Sequence, residues 1–305
     1  MNIVSTENLN LTPQVDANGN YIGTYAGVNT QWGIRPQEEA GNSGFHWLKN
    51  VRKDEAPGET FSVEWNVKDT WNTLGKGASA PTDINLRLTM LEQTDSVATT
   101  TGVPPRNKPG NPDELEYLVA HKSGDNLDSI FTSVIEPYEG QRLVTSISKV
   151  DMTLDGQTYV GNDARAVKVE LADGRVDYLV YSVNDNLTFI VDKKIEFKGF
   201  FGVYSEREGI PFYSYVNDGE FIGNLNDPAT ASYTGTVMDF TKQMSLENDI
   251  TVQFNDDFNL ENLVGRFIYI QNDGIRNATY KIKGIKNVAG NTLTLDIGDI
   301  TTIRS

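Results

Sequence analysis

Two histidines, four tryptophans and no cysteine set the chemistry open to this chain of 305 residues. Without thiols there is no cysteine nucleophile, disulfide or thiolate-held zinc. His46 and His121 alone are too few for an all-histidine metal site. His46 lies in Gly44-Phe-His-Trp-Leu-Lys49. Read as a strand, that segment puts Phe45 and Trp47 on one face and His46 and Leu48 on the other. Trp47 could then stack on a sugar ring with His46 nearby. His121 follows Tyr117-Leu-Val-Ala and precedes Lys122-Ser-Gly, which places it at a strand end, beside loops of the kind that carry sites. No Gly-x-Ser-x-Gly elbow supplies a nucleophile for either, and a histidine satisfied within the fold is the plainer reading of both.

The tryptophans Trp32, Trp47, Trp65 and Trp71 all fall in the first quarter of the chain. Trp65 alternates with Val63 and Val67 and belongs to a core face. Trp71, beyond that strand and next to a loop, is the better surface aromatic. The candidate carbohydrate contacts are therefore Trp71, Trp47, His46 and His121. In Glu136-Pro137-Tyr138, Glu136 could accept backbone hydrogen bonds or pair with Arg142. Tyr138 could move a proton, although a bonded, buried tyrosine is commoner, and Pro137 is expected to end a strand or mark a bulge. Asp16-Ala-Asn-Gly-Asn20, Asn184-Asp-Asn186 and Asn255-Asp-Asp257 offer the oxygen ligands that calcium takes. None completes a twelve-residue calcium loop, and Asx-rich turns more often bend the chain. No catalytic or metal-ligating residue is assigned, and calcium is the one cofactor left as an alternative to none.

These residues need strands to hold them, and period-two patterning dominates. Phe61, Val63, Trp65 and Val67 alternate with Ser62, Glu64, Asn66 and Lys68, and Leu86, Leu88 and Met90 repeat the pattern. Val167, Val169 and Leu171 lead into Asp173-Gly174, a tight-hairpin dipeptide, with Val176, Tyr178 and Val180 returning. Asp155-Gly156 and Asn217-Asp-Gly-Glu220 read as two more hairpin tips. Pro112-Asp-Glu-Leu-Glu and Asn259-Leu-Glu-Asn-Leu-Val264 are the best helical candidates. Gly75 to Pro81 and Thr99 to Pro112 read as loops. The expected fold is all-β: a large antiparallel two-sheet sandwich, supersandwich-like, over residues 1–230, followed by a small β-domain over 231–305. The latter rests on Ile250–Phe254, Arg266–Ile270, Ala278–Ile282 and Thr292–Asp296.

A formal charge of −16 repels polyanions at long range, so nucleic acid and acidic membrane surfaces are not expected partners. No apolar run is long enough to span a bilayer, and the N-terminus lacks the basic start and apolar core of a signal peptide.

The segments Tyr117-Leu-Val-Ala-His121, Ser129-Ile-Phe-Thr-Ser-Val-Ile-Glu-Pro-Tyr-Glu-Gly140, Arg142-Leu-Val-Thr-Ser-Ile and Ala164 to Tyr178 resemble the C-terminal β-region of heparinase II/III-like polysaccharide lyases. Gly199-Phe-Phe-Gly-Val-Tyr204 and Gly265-Arg-Phe-Ile-Tyr-Ile extend the likeness, which runs from about Trp32 to the end. The resemblance implies a sandwich that follows a catalytic toroid of helices, in a secreted, periplasmic or cell-surface bacterial protein that cleaves uronate polysaccharides by β-elimination. In such enzymes most catalytic groups come from the toroid, and the sandwich adds a His-Gly-His-x-Asp segment. This sequence encodes no toroid and contains no His-x-His, so no catalytic residue carries over. The expected role is a non-catalytic β-region that buttresses the helical domain, its implied partner, and helps shape a polysaccharide cleft. The alternatives are a self-contained carbohydrate-binding or adhesion module and, furthest off, an independent hydrolase or lyase with a site of Asp, Glu and Tyr.

Overall fold

The computed structural model describes residues 2–35, 44–78, 80–104, 108–230, 233–255, 258, 260, 263–273 and 277–302. The chain is nearly all β, in antiparallel sheets with sandwich-like packing, as the alternating patterns predict. It divides into two compact units, Met1–Ala229 and Thr230–Ser305.

The first unit contains three sheets. One has the order β1 (Asn2–Glu7), β4 (Phe61–Asn66), β5 (Ile84–Met90) and β8 (Ser133–Glu139). The second has β2 (Thr12–Pro13), β3 (Lys49–Asp54), β6 (Ser96–Gly102) and β7 (Leu115–His121). Phe61, Leu88 and Met90 of the first meet Val97, Leu118 and Ala120 of the second in a shared apolar cluster. The Thr99-to-Pro112 loop expected from composition is therefore partly strand. Thr99, Thr100 and Thr101 are β-branched residues that suit a pleated surface, and they pair with β3 and β7. Pro112 to Glu116 is not helical, since β7 begins at Leu115. Pro137 sits inside β8 rather than at its end; β8 is an edge strand, where a missing N–H need not interrupt a ladder.

The third sheet has nine strands: β9 (Val144–Lys149), β10 (Met152–Leu154), β11 (Gln157–Thr158), β12 (Ala164–Leu171), β13 (Arg175–Ser182), β14 (Thr188–Val191), β15 (Ile195–Arg207), β16 (Ile210–Asn224) and β17 (Asp227–Thr230). One length of β15 pairs β14 and the next pairs β13, so the sheet has two arms. Met152, Phe189 and Val191 from one arm and Ala166, Tyr178 and Val180 from the other share one core. The change of partner falls at Gly199, which opposes Gly219 across a register shift. A Cβ on Gly199 would stand 2.6 Å from Val216 Cγ2 and 2.9 Å from Gly219 Cα, so these backbones approach only because both residues are glycine. Asn217 to Glu220 is thus this bend and not a hairpin tip; the β15–β16 turn is at Glu208-Gly209.

The back of the first sheet faces this third sheet: Val134 joins Val144, Ile147, Val167, Val169 and Leu179 in a cluster with Leu91. Glu92, 5% exposed, ties the layers. Its carboxylate accepts from Arg165 Nε at 2.8 Å, Thr132 Oγ1 at 3.1 Å and Lys149 Nζ at 3.4 Å. Burial by itself would raise its pKa, but the Arg165 bond and the Arg165 and Lys149 charges outweigh it and hold the carboxyl below its ordinary range.

The second unit pairs a four-stranded sheet, β18 (Gly235–Phe240), β19 (Asn248–Phe254), β23 (Thr292–Gly298) and β22 (Gly284–Ala289), with a hairpin of β20 (Phe267–Ile270) and β21 (Ala278–Lys281). Ile250, Val252, Leu293 and Leu295 from the sheet cluster with Ile268, Ile270 and Tyr280 from the hairpin. Of the helical candidate at Asn259 to Val264, Asn259, Glu261 and Asn262 lie outside the described residues.

Candidate functional site

His46 and Trp47 belong to a short 3-10 turn, Gly44–Trp47, and not to a strand. The strand reading put His46 and Trp47 on opposite faces, and the turn likewise points them apart, so His46 is not beside the Trp47 ring as a sugar contact. His46 is fully buried while Trp47 is 52% exposed, so His46 supports the surface from beneath and Trp47 forms it. The Gly33 N–H donates to the His46 carbonyl at 2.8 Å. Gly33 has φ +76°, and a Cβ there would approach the Trp47 ring to 3.3 Å; glycine is what lets the preceding loop lie against the indole.

Trp32 completes the arrangement. Its Nε1–H donates to the Trp47 carbonyl at 3.2 Å, and the two rings meet edge to face with centroids 5.5 Å apart. Lys49 Nζ lies 5.7 Å from the Trp32 ring centroid and pairs with Glu114 at 2.5 Å. Tyr117 extends the surface, because its ring lies where a Cβ on Gly102 would be, 2.9 Å away, and the Trp47 carbonyl is 3.4 Å from the same point. On the other side Phe45 packs edge to face with Tyr25, centroids 4.9 Å apart. Phe45, Trp32, Trp47 and Tyr117 are all exposed, an unusual concentration of solvent-facing rings on one small region.

A cleft of about 600 Å3 lies between β1 and the inner face of the second sheet, and none of the four rings lines it. Asn50, Arg52, Thr99, Thr101 and Glu116 line it, with Tyr21 at its side. Lys49, Thr101 and Glu116 are register partners across three strands, so the row that starts under Trp32 continues into the cleft. Asn50 Nδ2 donates to Thr101 Oγ1 at 2.7 Å, and Glu116 accepts the Ile3 N–H at 2.6 Å. Rings and, along that row, a groove of hydroxyls, an amide and opposite charges can hold the apolar face of a pyranose while bonding its polar edge.

The other candidates stand apart from this cluster. Trp71 is 63% exposed in the loop after β4, with its ring over Gly110, where a Cβ would be 3.1 Å away. That loop is fixed by Asp69, which accepts the Leu74 and Thr73 N–H groups at 2.7 and 2.8 Å, bonds that hold its carboxyl below the usual range. His121 is exposed at the end of β7, as its context predicts. Its carbonyl accepts the Asp95 N–H at 2.9 Å, and Asp95 in turn accepts from Ser123 N and Oγ at 2.6 and 2.7 Å. Glu136 makes both interactions foreseen for it, accepting from Arg142 Nη2 at 2.8 Å and Val144 N at 3.4 Å. It closes a row Glu64–Arg87–Glu136 across β4, β5 and β8. Burial first, then the Glu64 hydrogen bond, raises the Tyr138 pKa above that of a free phenol, so the group stays protonated.

Asp16 spends its oxygens on its own turn, accepting from Asn18 N and Asn20 N, both at 2.9 Å, and Asn184 does the same for Asn186 N at 3.2 Å. Asp256 and Asp257 lie outside the described residues. Among the described residues no three His, Asp or Glu side chains gather as a metal group.

Trp32 and Tyr117 are the members that sequence reasoning did not select. Trp32 is fifteen residues from its partner Trp47, and only the Trp-Gly pair at 32–33 hints at a turn there. Comparison with protein-family models, with curated proteins and with solved structures finds no match for this chain.

Proposed function

We propose that this chain is a glycan-contacting, non-catalytic β-region of a heparinase II/III-like polysaccharide lyase, and that the Trp32–Trp47 surface, with the cleft between β1 and the second sheet, holds the polysaccharide. One observation carries the reading. The Trp32 indole N–H is bonded to the Trp47 backbone carbonyl, the two exposed rings meet edge to face, and Lys49 flanks Trp32, so the rings are held in place for a sugar at little entropic cost. Lys49 and Arg52 offer donors to a uronate carboxylate, with Glu114 paired to Lys49 and Glu116 in the cleft balancing their charge. Such a protein would act outside the cytoplasm, where polysaccharides are met.

Calorimetric titration of uronate and neutral polysaccharides into the full chain tests this reading. Binding should fall about tenfold in Trp47→Ala, an interface anchor of ordinary size, with no rise in unsaturated-product absorbance for either protein. Absence of binding to every glycan, or turnover by the chain alone, would overturn it.

A self-contained carbohydrate-binding or adhesion module is the second reading. It is favoured by the fact that Trp32, Trp47, Lys49 and Tyr117 all come from one compact unit, so the surface needs no other chain to form. The two readings part on partnership: a lyase β-region should bind a helical catalytic domain encoded with it, and a free-standing module should not.

A further inference from the structure

We propose that the C-terminal unit carries a second uronate-binding surface, on the outer face of its β20–β21 hairpin. The proposal rests on the polysaccharide reading above but uses other residues. Alternation along the two strands divides the hairpin into two faces. Ile268, Ile270, Ala278 and Tyr280 turn inward and join the core of the unit. Phe267 opposes Lys281 and Tyr269 opposes Thr279 across the ladder, so these four side chains share the other face. All four are exposed, Phe267 by 66% and Tyr269 by 58%. The rings bury little of their surface in the fold, and neighbouring rings left in solvent mark a contact surface.

The polar groups of this face identify the ligand. Asn277, just before β21, donates from Nδ2 to the Tyr269 hydroxyl at 2.8 Å and accepts the Asn272 N–H at 3.2 Å, which fixes that ring before any ligand arrives. Phe267 lies two strand residues from Tyr269, about 7 Å along β20. Beside them, Lys281 has no carboxylate partner among the described residues, and none of the four side chains is acidic. The rings can take the C–H faces of sugar rings while Lys281 and Thr279 bond a carboxylate and hydroxyls at the edge. This unit also suits an anion better than the first. Residues 230–305 hold nine Asp and Glu against seven Lys and Arg, so most of the chain's charge of −16 lies outside them. Nucleobases can stack on such rings as well, but one ammonium is a poor match for a row of phosphates. An apolar protein surface would bury Lys281 unpaired.

Calorimetric titration of a short uronate oligosaccharide into the full chain tests the proposal, with the Trp32 and Trp47 indole resonances followed in parallel. The chain should bind two molecules, and Phe267→Ala should leave one while both indoles still shift. Lys281→Gln should weaken the second site about fivefold, the reach of an exposed ion pair, and leave binding of a carboxyl-reduced oligosaccharide unchanged. Both substitutions replace exposed side chains, so the melting temperature should hold; should Phe267→Ala not fold, Lys281→Gln still decides the matter. A single site untouched by either substitution would overturn the proposal and leave the Trp32–Trp47 reading standing. Binding lost in Phe267→Ala, with no indole shift in wild type, would do the reverse. No binding of any oligosaccharide would overturn both. Self-association that Phe267→Ala removes, in place of sugar binding, would assign the face to a second copy of this chain and overturn the proposal.

Discussion

The two units differ most in what they bury. Among the described residues, the first unit buries Arg87, Glu92, Glu136, Glu206 and Asp54 along with hydroxyls, whereas Asn248 is the buried polar side chain of the second. The openings do not follow the same division, since aliphatic and polar side chains line both, Leu9 and Arg52 in the cleft between β1 and the second sheet and Ile268 and Gln271 in the one beside β20. In the first unit layers are joined through ion pairs that span sheets, Glu92 with Arg165 and Lys149 being the clearest. In the second, the sheet and the hairpin share an apolar cluster. Among the described residues, the two units thus differ in core chemistry, with buried charge in the first and an almost wholly apolar core in the second.

The largest effect should come from the bend of the nine-stranded sheet. Gly199→Val puts a side chain within 2.6 Å of Val216 and should cost about 4 kcal/mol, the range of severe core overpacking. Chemical denaturation of the variant checks this, and a loss under 1 kcal/mol would show that the two-arm geometry does not depend on the glycine pair. Next, Glu92→Gln should destabilise by about 2 kcal/mol, because Arg165 and Lys149 lose the charge they share.

Acid sharpens the contrast. The Glu92 carboxyl is held below its ordinary value in the fold, so its contribution is present above the unfolded-state value and is lost as pH falls through the folded one. In the second unit, Asp239 and Asp299 are also held low, by the Lys242 and Lys283 hydrogen bonds respectively, but those pairs are exposed and should be screened by salt. Melting curves between pH 7 and acid, at low and high salt, should therefore show an acid-induced loss that survives salt in wild type and is reduced in Glu92→Gln. An acid response removed entirely by salt would contradict the role given to Glu92. Smaller still, Gly33→Ala should cost about 1 kcal/mol from its positive φ and weaken glycan binding by loosening Trp47, an effect that a titration against wild type can read.

Much of this architecture was legible in alternation. Phe61 to Asn66, Ile84 to Met90 and the hairpin through Asp173-Gly174 appear where period two and a turn dipeptide put them. Asp155-Gly156, both at positive φ, is the expected tip between β10 and β11. What was not legible depends on neighbours distant in sequence. The threonines of β6 look like loop residues until β3 and β7 flank them, and Asn217 to Glu220 looks like a turn until Gly199 is found opposite. The site suffers most from this. Trp47 could be picked as an aromatic, but its exposure and the burial of His46 follow from a 3-10 turn that Gly33 closes from outside. The Glu92 node joins residues 40 to 73 positions apart, a separation that no local pattern encodes.

The central claim is that the Trp32–Trp47 pair meets the glycan, and indole N–H resonances of the full chain during titration with a uronate oligosaccharide test it most directly. The four tryptophans give four such signals. Trp32 and Trp47 should shift and saturate together, while Trp65, buried in the core, and Trp71, on its separate loop, stay in place. Saturable shifts confined to Trp71, or no shift of any indole at saturating sugar, would contradict the account.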